Sequence, residues 1–168
     1  MLLYHPFFDT HHCVFRMLRL LQKMGDIVVE MDRFRVWDFY LLFPTALDEV
    51  QLPRGATGIR KEIRKLGNRY EVIPDNRRAF SRLETIQSAA LAHLASVELI
   101  SSTDLKERQI RRTANALPAE LFQMIQQRNS EDRVTIDFLT TTFLQLPVFG
   151  PGGLRVRTDL FDHRYDLP

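Results

Sequence analysis

The stretch DRFRVWDFYLLFP, from Asp32 to Pro44, constrains the fold more than any other part of the chain. Its charged residues, Asp32, Arg33, Arg35 and Asp38, fall in the first half. From Phe39 onward every residue is apolar or aromatic until Pro44. A bilayer span needs roughly 20 apolar residues in succession, and this run is far too short. The spacing is helical: Met31, Phe34, Trp37, Leu41 and Leu42 form one stripe, widened by Phe39, Tyr40 and Phe43. A helix that is apolar on more than one side is packed by several neighbours, so this one is expected at the centre of a domain. It starts near Val29 or Glu30 and is stopped by Pro44. Arg35 and Asp38 lie three apart and are expected to pair on its less buried side. Trp37 and Tyr40 are candidates for a partner interface as well as for the core.

A chain of 168 residues suits one compact domain. Asp9 is placed as the N-cap of a first helix that runs to Met24 and stops at Gly25. Thr45 to Gly58 reads as a loop, Ile59 to Leu66 as a short basic helix, and Tyr70 to Ile73 as a short strand. A longer helix spans Arg77 to Ala95, with Phe80, Leu83, Ile86, Ala90, Leu91 and Leu94 inward. Val97 to Ile100, a polar turn over Ser101 to Lys106, and Gln109 to Thr113 then read as a two-stranded hairpin. A helix leading into such a hairpin is the end of a winged helix-turn-helix. Two further helices follow, Pro118 to Arg128 and Glu131 to Leu146. The fold class expected is therefore mainly α: a winged-helix-like helical domain over residues 1–147, with a small hairpin wing and an extended C-terminal segment over 148–168. Leu154, Val156, Leu160, Phe161 and Tyr165 alternate with charges there, which suits either a last strand or a tail docked on a partner.

The chain has one cysteine, Cys13, so no intrachain disulfide forms, which fits a reducing compartment. The N-terminus lacks the pattern of a signal peptide, and the expected location is the cytoplasm. The formal net charge of +2 hides an asymmetry, because residues 60–82 carry eight basic and three acidic side chains. Arg60, Lys61, Arg64 and Lys65 line one side of the short helix, and Arg69 and Arg78 follow. Arg108, Arg111 and Arg112 lie on the expected wing. Together these are the candidate contacts for nucleic acid or an acidic partner, against the plainer reading of a solvated charged face.

No residue cluster has the spacing of a catalytic site. His11, His12 and Cys13 are adjacent on a helix and point about 100° apart, so they do not converge on one ion. Glu71, Asp75 and Glu84 resemble part of a nuclease carboxylate set, but the accompanying lysine is missing. No P-loop and no GxSxG elbow is present, and no cofactor is expected.

Three segments resemble the small middle components of ABC-three-component systems, the group that includes Lamassu-type antiphage systems. They are YHPFFDTHHCVFRMLRLL (Tyr4 to Leu21), DRFRVWDFYLLFP, and the run from Phe80 to Thr113. The resemblance implies a non-catalytic adaptor that couples an SMC-like or ABC ATPase, which senses DNA, to an effector that is often a nuclease. Both partners would be encoded in the same operon, with DNA contact inside the complex and no membrane contact. The alternative is a stand-alone winged-helix transcriptional regulator, which would form a homodimer on a defined operator.

Overall fold

The computed structural model describes residues 8–67 and 73–162. The described residues are mainly helical, with one small antiparallel sheet. The elements in order are α1 (Thr10–Met24), β1 (Val28–Glu30), α2 (Met31–Leu42), α3 (Ile59–Lys65), α4 (Asn76–Ser96), α5 (Ser102–Lys106), β2 (Gln109–Arg111), α6 (Ala119–Glu131), α7 (Arg133–Thr141) and α8 (Leu154–Thr158). Short 3-10 turns cover Pro44–Glu49 and Phe143–Gln145.

The first helix forms where the sequence places it. The Asp9 carboxylate accepts from the His11 and His12 backbone N–H groups, and Gly25 ends the helix at φ 64 while its N–H reaches Leu21. Cys13, Met17, Leu20, Leu21 and Met24 follow at helical spacing and are buried. α1 packs against α4, α2, α6 and α7.

α2 is the central helix. Every residue from Asp32 to Leu41 is buried, including all four charged ones. Its aromatic excess is spent inside the chain. Phe39 meets Tyr40, Phe43 and Phe80, and Tyr40 meets Phe143, at ring separations of 5.1 to 5.9 Å. Trp37 and Tyr40 are 0% and 1% exposed, so neither offers a surface to a partner.

Arg35 and Asp38 do not pair with each other. Asp38 turns to Arg16 of α1 and Arg35 to Gln87 of α4. Each finds its partner on a neighbouring helix instead, so the local pair does not form.

The sheet differs in detail from the expected hairpin. β2 pairs with β1, in register Val28–Arg111, Val29–Ile110 and Glu30–Gln109. The Val97–Ile100 side contracts to one bridge, Ile100–Arg112, flanked by two backbone bonds, and Ser102–Lys106 is a helix rather than a turn. Ser101 explains that helix, because its hydroxyl caps the Asp104 N–H. Glu98 adopts φ 58, which bends the chain away before a second strand residue is paired.

The expected loop over 45–58 begins as a 3-10 turn that buries Ala46 and Leu47. The expected helix Glu131 to Leu146 is shorter, α7 followed by a 3-10 turn. The strand expected over Tyr70 to Ile73 lies mostly outside the described residues.

The C-terminal segment is helical where extended chain was expected. A turn over Gly150–Gly153 sends the Leu154 and Arg155 N–H groups back to the carbonyls of Pro147 and Val148. A Cβ on Gly153 would lie 2.7 Å from the Phe149 carbonyl oxygen, so this reversal requires glycine. α8 then points Leu154 and Thr158 inward on successive turns, and Val156, which a strand would have placed with Leu154, is 51% exposed. Val148, Leu154, Leu160 and Phe161 join the same core as α1 and α2.

Candidate functional site

Two neighbouring charge clusters hang on α2. The first is closed. Arg16 Nε and Nη2 donate to the two Asp38 oxygens at 2.7 and 3.2 Å, and Gln87 Nε2 donates to Asp38 at 2.9 Å. The Cys13 thiol donates to the same carboxylate at 3.7 Å. Burial opposes the Arg16 charge, yet the charge and hydrogen bonds of Asp38 outweigh it and raise the guanidinium above its ordinary value. Burial, and then Asp38, pushes the Cys13 thiol well upward, so it stays a neutral packed group.

The second cluster opens to solvent. Between α2, the start of α4, the turn before β2 and the segment 155–162 lies a groove of about 700 Å³. Its floor is aromatic: Phe80 and Phe161 meet edge-on at 4.9 Å. The Arg35 guanidinium lies 4.6 Å from the Phe80 ring centroid, and Arg155 lies 4.1 Å from that of Phe161. Asp32 bridges the wall, accepting from Arg108 at 2.9 Å and from Arg155 at 3.2 Å. α4 begins where the Asp75 carboxylate caps the Arg78 N–H, and its first turns bring Arg77, Arg78, Arg82 and Glu84 to the groove. Arg77 is held by Asp159 at 2.6 Å.

Arg35 is the unusual member. It is 8% exposed, and its Nε donates to Gln87 Oε1 at 2.9 Å while Gln87 returns a bond to the Arg35 carbonyl. Among the described residues it takes part in no ion pair. Burial holds it below the ordinary arginine value, with the charge of Arg108 adding to that and the charges of Glu84 and Asp32 working against it. A desolvated cation without a carboxylate in contact is costly, and the groove is where its remaining donors face.

The candidate cations from the sequence separate into different places. Arg60 and Arg64 turn to Asp48 and the Val50 carbonyl, and Lys65 turns to Glu62, on a face formed by α3 and the 3-10 turn. Lys61 is exposed there without an ion pair among the described residues. Arg111 pairs with Asp104 at 3.1 Å, and half-buried Arg112 faces a small crevice beside Leu99 and Leu117. Arg78 and Arg108 line the groove, and Arg69 lies outside the described residues. Of the candidate apolar contacts, Leu154 is interior, Leu160 and Phe161 are buried beneath the groove, Val156 is exposed, and Tyr165 lies outside the described residues.

Sequence reasoning missed Arg35, Arg155, Asp32 and Gln87 as one constellation. One signal was present. Gln87 interrupts the apolar stripe of α4 between Leu83 and Ala90, and a polar residue on a buried face needs a partner.

Comparison with known proteins bears on the whole chain. Neither the curated proteins nor the solved structures hold a match. A family model, described as ABC-three component (ABC-3C) system Middle Component 5, matches residues 2–166. Fold, groove and match thus concern one continuous unit, and the chain belongs to the family of ABC-three-component system middle components of type 5.

Proposed function

We propose that the protein is a non-catalytic adaptor that couples an SMC-like or ABC ATPase DNA sensor to an effector, of nuclease type, in bacterial antiphage defence of the Lamassu kind. The family match over residues 2–166 carries this reading, since a middle component works with the other parts of its system. The groove supports it from the structure. A partner seated there touches α2, α4 and the C-terminal segment together, so its binding is read by elements that also bury the core.

The chemistry of the interior fits the same role. The buried carboxylate Asp38 is engaged by Arg16, Gln87 and Cys13, which commits it to holding α1, α2 and α4 in one arrangement. Contact with nucleic acid inside the complex falls to Lys61 and Arg112, two sequence candidates that lie outside the groove and have no ion pair among the described residues. The expected place of work is the cytoplasm, and no described helix is long and apolar enough to cross a membrane.

The test is co-purification. The tagged chain, expressed with its flanking genes and washed at high salt, is expected to elute with a coiled-coil ABC ATPase and an effector. Elution of the chain alone, as a homodimer that shifts one operator fragment, would instead establish the stand-alone regulator. The antiparallel bridge that follows α4 is the observation favouring that second reading.

A further inference from the structure

We infer that Arg35 anchors a carboxylate side chain carried by a segment of a partner protein laid in the groove between α2, α4 and residues 155–162. The inference deepens the adaptor reading by naming what the docking site takes.

The geometry comes first. Arg35 is nine-tenths buried, its Nε is fixed by Gln87, and its plane is held over Phe80 at 4.6 Å. Two Nη groups remain, and the described residues give them no hydrogen bond and no ion pair. The side chain is therefore positioned in advance, with a planar pair of donors directed at the groove. That is the arrangement a carboxylate meets with two parallel bonds. Binding supplies the counter-charge that burial makes costly to lack, and it loses little side-chain entropy because the rotamer is already fixed.

The class of partner follows from the walls. Arg78 and Arg82 are exposed on the first turns of α4, and neither has an ion pair among the described residues. Around them stand four carboxylates, Asp32, Asp75, Glu84 and Asp162. Six arginines line the groove with them, so the wall presents both signs, and a nucleic-acid backbone with a charge on every phosphate would set some phosphates against carboxylates. A protein segment with one or two acidic residues beside apolar ones meets the arginines and covers Phe80, Leu160 and Phe161 without opposing every carboxylate. The volume of about 700 Å³ accommodates a short stretch of chain rather than a whole helix face.

The probe is a library of random peptides of about 12 residues displayed on phage and selected on the immobilised full chain, followed by fluorescence polarisation of the best binder. Enriched peptides are expected to share an Asp or Glu next to an apolar residue. Arg35→Gln is expected to weaken the best binder by about ten-fold or more, as loss of a charge-assisted bidentate contact should. Because Arg35 sits in the interior, the exposed double variant R78E/R82E serves as a second test and should weaken binding by a similar factor. Lys61→Ala, on the α3 face, should change it by less than about two-fold.

Peptides without an acidic residue, no enrichment at all, or binding to folded R35Q or to R78E/R82E as tight as to the parent would each overturn the inference. So would competition by duplex DNA that is itself lost in R35Q, which would assign the groove to phosphate. Peptide binding that persists while no flanking gene product co-purifies would leave the groove standing and remove the adaptor reading. The reverse result would leave the adaptor reading and remove the groove.

Discussion

Asp38 and Arg35 sit one helical turn apart on α2, share Gln87, and live in opposite circumstances. Asp38 is 0% exposed and receives bonds from Arg16, Gln87 and Cys13. Arg35 is nearly as buried, yet it receives no carboxylate contact among the described residues and faces a groove. Burial alone therefore does not tell what a charge inside a protein is for. A cluster that closes on itself fixes neighbouring helices to each other, whereas one left short of a partner is held ready for something outside.

The largest expected effect tests the closed side. Asp38→Ala leaves Arg16 buried at 6% exposure without its counter-charge, and should cost about 3–5 kcal/mol in urea unfolding. A cost below about 1 kcal/mol would mean that the interior pair does little to hold α1 on α2. Next comes the shared residue. Gln87→Leu removes bonds to both Arg35 and Asp38 and is expected to lose about 2–3 kcal/mol by the same measurement. Smaller still is Arg35→Met, expected within about 1 kcal/mol of the parent, because no ion pair is lost and an apolar chain can still cover Phe80. A loss matching that of Asp38→Ala would erase the contrast between the two clusters.

The smallest effect calibrates both against the surface. Lys23 binds Asp137, and its hydrogen bond holds that carboxyl below the ordinary range, aided by Arg133. A depressed carboxyl stabilises the fold above its unfolded pKa of about 4, and this contribution is lost as pH falls through the lower folded value. Solvent screening of so exposed a pair keeps the whole effect under about 1 kcal/mol. Comparing the parent with Asp137→Asn should show a stability gap at neutral pH that closes as pH falls through the lowered folded value of the carboxyl.

The longer helices were legible because their signals are local, whereas the five-residue α5 and α8 were not. Asp9, Gly25 and Pro44 act within a turn of themselves, and the bounds of α1 and the end of α2 follow from them. The pairing of β2 was not, because β1 lies far away in the chain and a three-residue strand has too few side chains to announce a partner. Alternation over Leu154 to Leu160 suggested extended chain, but the reversal at Gly153 is a backbone feature that periodicity does not see. The groove was half legible. Arg78 and Arg108 stand out in the sequence as surplus charge, while the spacing pairs Arg35 with its near neighbour Asp38 and gives Asp32 no partner. The contacts of Arg35 with Gln87 and of Asp32 with Arg155 are tertiary. The basic segment was legible as charge, and within it Arg60, Arg64 and Lys65 pair with Asp48 and Glu62 nearby.

The pairing of β1 with β2 has a bearing on how the chain is made. Val28–Glu30 has no strand to join until Gln109–Arg111 exists, and Arg19 of α1 waits longer still for Asn129 and Asp132. On a ribosome adding about 5–20 residues each second, that is a delay of roughly five to twenty seconds. During it α1 and α2 can meet each other, and α4 once it emerges, while the surfaces that β2, α6 and α7 cover stay open. A chain stalled midway would thus lack the segments that complete the sheet and cover α1, and would expose apolar faces that the full chain buries.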